Sequence, residues 1–391
     1  MVTLILEVGQ QEIINNILNK KDCLAIMPTG SGKSICYQIP SLIFSGITLV
    51  ISPLISLMKD QVDSLNTKNI PAIYINSTLS HKEYQNILQN IILNKYKIIY
   101  IAPERLNNLN FVKLLKKIYI SIIAIDEAHC VSQWGHNFRK SYLTISTVIS
   151  KLHTRPVVAA FTATATEDVK IDIIKILNLK NPYVLTTGFN RPNLSFNVLS
   201  PKNKKNFITD YLNNHKKDSG IIYCLTRKEV DNLYYYLKSL SFNVTKYHAK
   251  MSEKEKIKNQ NNFVTDKIPI MIATNAFGMG IDKPNIRYVI HNNMPKDLEG
   301  YYQEAGRAGR DMRNSECFLL FSKSDIIINK YLIEYSTKSS NSYIEYKKLN
   351  QMLEYCNTTK CLRKYILEYF GETPIFKTCN NCSNCKKQVF N

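Results

Sequence analysis

The feature that most constrains this chain is a rhythm. Short runs of apolar, β-rich residues alternate with amphipathic stretches of helical period, and the pattern is run through twice. In the first block, about residues 9–195, the strand-like runs are Cys23–Met27, Thr48–Ser52, Ile98–Ile101, Ile120–Ile125 and Val157–Phe161, with Gln10–Leu18 and Glu83–Leu93 among the helical stretches. The second block, about 196–335, has Gly220–Cys224, Ile268–Ala273, Val289–His291 and Glu316–Phe321. Strand alternating with helix predicts a parallel sheet closed by crossover helices, so the chain is α/β with two units in tandem. From about 336 to 391 the strand pattern stops, and residues 343–369 read as helical before a cysteine cluster. The expected domains are therefore 1–195, 196–335 and a small helical segment 336–391.

The first strand leads into Pro28-Thr29-Gly30-Ser31-Gly32-Lys33-Ser34 and then into a helical run. Glycines allow the tight turn that aims backbone N–H groups at phosphates, and the helix N-terminus adds its dipole. Lys33 is placed for the β/γ-phosphates and Ser34 for Mg²⁺. Met27 stands where the usual phosphate-loop pattern has a small residue, but the strand–loop–helix context is kept. The run Ile120–Ile125 ends in Asp126-Glu127-Ala128-His129. In an open parallel sheet, ligands sit at the carboxyl ends of strands, which brings these acids beside the phosphate loop. Asp126 is expected to hold Mg²⁺ through its water shell and Glu127 to orient the attacking water. The pair of motifs predicts an ATPase.

Composition adds less. With 51 Lys+Arg against 31 Asp+Glu, the formal net charge is +20. That charge suits a nucleic-acid partner through counterion release, although general enrichment in Lys, Asn, Ile and Tyr explains it equally well. No apolar run approaches the roughly 20 residues a membrane span requires, and no secretory signal is evident, so an intracellular protein is expected. Ten cysteines in that setting suggest metal ligands and buried thiols rather than disulfides.

The ordered motifs resemble those of superfamily 2 helicases, and specifically the RecQ family of DNA helicases. They are Met27–Ser34, VISPLISLMKDQV (residues 50–62), IAPERL (101–106), DEAH (126–129), FTATAT (161–166), MIATNAFGMGIDKP (271–284) and YQEAGRAGRD (302–311). The loop following DEAH, with Gln133, Trp134, His136, Phe138 and Arg139, resembles the aromatic-rich loop of that family. Trp134 is the only tryptophan, in a polar stretch beside cations, a setting that suits stacking on unpaired bases.

The resemblance implies two RecA-like lobes, 3′→5′ movement on single-stranded DNA driven by ATP, and coupling of DNA binding to hydrolysis through the aromatic loop. It implies that Gln10 reads the adenine edge and that Thr29, Gly30, Ser31 and Gly32 cradle phosphates with Lys33 and Ser34. Gln303, Arg307 and Arg310 become the groups that meet charge on the γ-phosphate from the second lobe, and Asp282 a nucleotide or coupling contact. Ser52, Lys59, Arg105, Thr164, Arg227, His248 and Thr274 become contacts to the DNA backbone. Forked DNA joins single strands as a partner, with single-strand-binding, topoisomerase or recombination proteins behind it. A chromosome-associated location follows, nuclear in a eukaryote and nucleoid in a bacterium.

Cys379, Cys382 and Cys385 are spaced for thiolate ligation of a tetrahedral Zn²⁺. Spacing alone leaves the fourth ligand open between Cys356 and Cys361. The segment from Lys360 resembles the RecQ zinc-binding segment, whose helix carries the first ligand, and this selects Cys361. The remaining cysteines read as buried thiols.

Three departures from the family pattern matter. Glu7 stands where an Arg is expected and residues 1–6 offer no aromatic, so either the natural start lies upstream or adenine binding is weakened. Asn137 and Asn190 replace Asp, keeping an acceptor oxygen without the charge. The sequence stops after the cysteine cluster, before the family's winged-helix and C-terminal helical domains. ATP hydrolysis and translocation are therefore expected more firmly than efficient duplex separation.

Overall fold

The computed structural model describes residues 6–7, 9–28, 30–76, 79–135, 138–278, 283–336 and 342–389. Thr29, His136, Asn137 and Asp282 lie outside the described residues. The chain divides into two compact units, 1–189 and 190–391.

The first unit is built on seven strands: β1 (Cys23–Ile26), β2 (Ile47–Ile51), β3 (Ala72–Ile75), β4 (Ile98–Ile101), β5 (Ile120–Ile125), β6 (Val157–Thr162) and β7 (Tyr183–Thr186). Their order is β3-β4-β2-β5-β6-β1-β7, and every pairing is parallel. Strands β1, β2, β4, β5 and β6 are buried at every position, as expected where helices cover both faces of a parallel sheet. One side chain pins the edge of this sheet. Asp22 accepts from both terminal nitrogens of Arg155 and from the backbone N–H groups of Val158 and Lys180, tying the entry of β1 to β6 and to the approach of β7.

The second unit contains β8 (Leu194–Leu199), β9 (Ser219–Tyr223), β10 (Val244–Tyr247), β11 (Ile270–Ala273), β12 (Ile286–His291) and β13 (Ser315–Leu320), in the order β10-β11-β9-β12-β13-β8 and again all parallel. The helices Lys323–Ser336, Ser342–Asn357, Leu362–Tyr369 and Ser383–Val389 complete it. The cysteine segment joins the sheet edge through a bridge between Phe196 and Cys382 and a bond from the Val198 N–H to Ser383 Oγ.

The nine expected strands are present, eight of them within two residues at each end, while the one expected at Val289–His291 begins three residues earlier, at Ile286. Four others, β3, β7, β8 and β10, are absent from the sequence reading, and they are the four edges of the two sheets. Three of them are four residues long and partly exposed. Val244–Tyr247 (VTKY) is broken by Thr and Lys, whereas Ala72–Ile75 (AIYI) and Tyr183–Thr186 (YVLT) are apolar and β-rich and were passed over although the sequence carries the signal. A boundary between residues 195 and 196 would cut β8, which pairs with β13; the break between compact units falls instead between Phe189 and Asn190. The helical segment after 336 belongs to the second compact unit.

Candidate nucleotide, nucleic-acid and metal sites

At the carboxyl end of β1 the phosphate loop turns through Gly30 and Gly32, both at positive φ, before the helix Lys33–Ile43. Gly32, at φ +68°, is also approached by Gln10, whose Nε2 would lie 2.3 Å from an added Cβ. Gln10 is held there by its own bonds: Nε2 donates to the Ser31 carbonyl at 2.9 Å and Oε1 accepts from the Glu7 N–H at 2.8 Å. Gln10 and the loop therefore form one buttressed unit, and Glu7 contributes backbone to it. Ser31 Oγ donates to the Pro28 carbonyl, and Lys33 Nζ donates to the carbonyls of Met27 and Pro28 at 3.1 and 3.2 Å. Folded onto its own loop, the ammonium stays where a polyphosphate would meet it.

Asp126 extends from the end of β5. Its Oδ2 accepts from Ser52 Oγ at 3.1 Å and its Oδ1 from the Glu127 N–H at 3.0 Å. Burial, reinforced by the Glu127 charge, pushes its carboxyl up to about 7; Lys33 and the two hydrogen bonds oppose that rise. A carboxylate held this reluctantly is poised to gain from a divalent cation. Glu127 turns back in the left-handed region at φ 48°, and its Oε2 lies 3.3 Å from His129 Nδ1. His129, fully buried, also meets Thr162 Oγ1 at 2.8 Å, and that hydroxyl is bonded to both backbone groups of Thr164. The acid pair is thus linked through His129 to the FTATAT segment at the end of β6. His129 and Thr162 escaped the residue-level assignments made from sequence, although DEAH itself was the signal for the first of them.

The candidate nucleic-acid residues of the first unit are spread over several loops. Ser52 is buried and occupied by Asp126. Lys59 is exposed on the helix Ile55–Thr67. Arg105 donates to the Asn76 carbonyl and stacks 5.0 Å over Tyr84. Thr164 is buried, and its Oγ1 has no hydrogen-bond partner among the described residues. In the aromatic loop Gln133 is exposed while Trp134, Phe138 and Arg139 are half-buried. The Trp134 N–H is held by Ser132 Oγ, itself bonded to Asp172, and Arg139 reaches the Pro53 carbonyl next to Ser52. The loop is therefore fastened to neighbours of the acid site.

In the second unit Arg227 is exposed at the start of the helix Arg227–Ser239, below a capping box made by Thr226 and Glu229. His248 is buried, with Nε2 3.3 Å from Asp231, and Thr274 is buried just beyond β11. Gln303 is buried on the helix Leu298–Ala305. Arg307 is 4% exposed and donates to the Gly278 carbonyl, while Arg310 is half-buried. The turn carrying both arginines is held by two residues that sequence reading did not single out. Arg191 donates to the carbonyls of Ala308 and Gly309 at 3.2 and 2.8 Å, and Asn193 to those of Gly309 and Arg313.

The sulfurs of Cys361, Cys379, Cys382 and Cys385 lie within 4.8 Å of one another. Tetrahedral Zn²⁺ with bonds of about 2.3 Å places its sulfurs roughly 3.8 Å apart, so a small contraction closes the site. The hydrogen bond from Cys379 pulls the Cys382 thiol well below its ordinary range, and Cys379 is pushed up in exchange. Cys382 is therefore the thiolate already favoured in this group, and a metal would have to displace the protons held by the others. Cys356 stands outside this group, and Cys23, Cys36, Cys130, Cys224 and Cys317 are all buried thiols.

Comparison with known proteins agrees along nearly the whole length. Residues 7–171 match the DEAD/DEAH box helicase family, 203–312 the helicase conserved C-terminal domain, and 323–386 the RecQ zinc-binding family. The ATP-dependent DNA helicase RecQ of Bacillus subtilis is 49% identical over 96% of this chain and 64% of its own length. A putative ATP-dependent RNA helicase of Acanthamoeba polyphaga mimivirus is 41% identical over 98% of this chain and 70% of its own. Among solved structures, Saccharomyces cerevisiae Dbp5 bound to RNA and ADP BeF3 shares the fold with a TM-score of 0.66 at 20% identity, covering 87% of this chain and 93% of that one. The chain spans 59–64% of the length of its bacterial relatives named RecQ.

Proposed function

The chain belongs to the RecQ family of helicases, and from that premise we propose that it hydrolyses ATP to move 3′→5′ along single-stranded DNA and to open forked duplexes. The observation that carries the reading is the buried Asp126, bonded to Ser52 and Glu127 and drawn on by Lys33 of the adjoining phosphate loop. In this reading Gln10 takes the adenine edge, and Thr29 to Ser34 enclose the phosphates. Ser34 and Asp126 hold Mg²⁺, which would neutralise charge on the β- and γ-oxygens. Glu127 orients water, with His129 at 3.3 Å to keep the carboxylate aimed. Gln303, Arg307 and Arg310 answer the charge that builds on the γ-phosphate, and Asp282 belongs with them as a coupling contact.

The strand is met by Trp134 with Gln133, His136, Phe138 and Arg139, and its phosphates by Ser52, Lys59, Arg105, Thr164, Arg227, His248 and Thr274. The His129–Thr162–Thr164 contacts supply a route by which strand occupancy reaches Glu127. Zn²⁺ on the four cysteines is structural, since four thiolates leave no open position. Partners that handle single strands, topology or recombination, and a chromosomal location, follow from this substrate. No helix among the described residues is long and apolar enough to cross a membrane.

Displacement of streptavidin from biotinylated oligonucleotides tests the direction. A 3′→5′ motor clears streptavidin from a 5′ biotin and not from a 3′ biotin, and needs ATP to do so. Clearance from the 3′ end alone, or equal clearance without ATP, contradicts the reading.

A further inference from the structure

Inside the second unit a continuous set of hydrogen bonds runs from the cysteine cluster to the turn that carries Arg307 and Arg310. It begins at Arg363, two residues beyond Cys361 and 4% exposed. This guanidinium donates to the backbone carbonyls of Arg191 and Leu194, to Asn190 Oδ1 at 3.2 Å and to the Pro192 carbonyl at 3.4 Å. Asn381, between Cys379 and Cys382, donates to the same Pro192 and Leu194 carbonyls. The clamped segment 190–194 then sends Arg191 to the carbonyls of Gly306, Ala308 and Gly309, and Asn193 to that of Gly309.

Gly309 marks how tightly this is built. It sits at φ +56°, and an added Cβ would fall 2.5 Å from Asn193 Nδ2 and 2.7 Å from the Arg313 carbonyl. The helix Leu298–Ala305 feeding the turn is braced by the same module. Glu299 pairs with Lys348 at 3.6 Å, both buried, and Tyr302 packs on Phe370 at 5.2 Å.

We infer that Arg363 and Arg191 are positioning residues for ATP hydrolysis, an arginine-to-arginine relay by which the cysteine module sets the 306–310 turn and hence the aim of Arg307 and Arg310. A rigid, planar guanidinium bridging several carbonyls fixes their relative positions, which a lysine ammonium on a flexible stem does not. The relay also gives Asn190 a use, since its side-chain oxygen accepts from Arg363. The inference rests on the proposed ATPase reading for its catalytic consequence, while its structural half is read without turnover.

The test compares wild type with Arg191→Lys, Arg363→Lys and the milder Asn381→Ala, which removes two bonds at a half-buried position and guards against failure to fold. Backbone hydrogen exchange is followed over residues 306–311, beside kcat and KM for ATP with single-stranded DNA and the zinc content. Each Arg→Lys variant is expected to exchange about tenfold faster in that turn, the factor that accompanies loss of a charge-assisted hydrogen bond. Its kcat should fall about tenfold or more with KM within threefold, because the arginines act on transition-state charge. Zinc content should hold at one equivalent. Unchanged exchange in all three variants overturns the relay, as does faster exchange with unchanged kcat. A wild type with no DNA-stimulated turnover defeats the function reading instead, and exchange still decides whether the relay exists.

Discussion

Asp126→Asn should stabilise the nucleotide-free protein while abolishing hydrolysis. The replacement fits the site: its carbonyl oxygen can accept from the Glu127 N–H and its amide can donate to Ser52 Oγ, so both contacts of the carboxylate survive without the charge. Burial raises the native carboxyl from 3.8 to about 7. The native state therefore holds this proton more tightly than the unfolded chain, so stability is full below the unfolded pKa and is lost as pH rises towards the folded one. Above both, three pKa units amount to at most about 4 kcal/mol. By the same linkage the penalty is about 2 kcal/mol near pH 5 and vanishes near pH 3. Trp134, the sole tryptophan and eight positions along the chain in the same unit, reports the transition by fluorescence in urea. The variant should unfold at higher urea than wild type near pH 8, with the gap narrowing towards pH 5. A variant less stable near pH 8, or a gap that does not change with pH, refutes the argument that burial dominates this carboxyl.

Further outcomes follow from the same contacts. Gly32→Ala must place a methyl 2.3 Å from Gln10 Nε2 at a left-handed position, so ATP affinity measured by fluorescent-analogue titration should fall at least tenfold with Asp126 chemistry untouched. Cys382→Ser should lose the single equivalent of zinc measured by metal analysis, whereas Cys356→Ser should keep it. His129→Ala removes the bridge between Glu127 and Thr162, and should reduce the ratio of DNA-stimulated to basal ATPase more than it reduces DNA affinity. Trp134→Ala should weaken single-strand binding by about 1–3 kcal/mol in anisotropy titrations, the usual worth of one base–aromatic stack.

Interior strands were legible because a buried parallel strand has to be apolar on both faces, as Ile120–Ile125 is. The edges were harder to read: Val244–Tyr247 is broken by Thr and Lys, and Tyr183–Thr186, though β-rich, is only four residues long and alternates half-buried and exposed. Motif residues could be named in advance because phosphate and metal chemistry restricts residue type and spacing, as at Lys33 and at Cys379 to Cys385. What spacing does not carry is the support around them. Arg191 lies more than a hundred positions from the turn it holds, and Arg363 a further long step away, so neither could be paired with its partners from the chain alone. Gln10 lies between these extremes. Its role was expected, but its bond to Ser31 and its closeness to Gly32 were visible only in three dimensions.

The central claim is that a DNA-stimulated ATPase resides in the phosphate loop and its acid pair. Initial rates of phosphate release, measured with single-stranded DNA, with single-stranded RNA and with neither, for wild type and Lys33→Ala, test it most directly. Wild type is expected to be stimulated strongly by DNA and little by RNA, and the variant to show no turnover. Stimulation by RNA but not DNA, or turnover that survives Lys33→Ala, would contradict the claim.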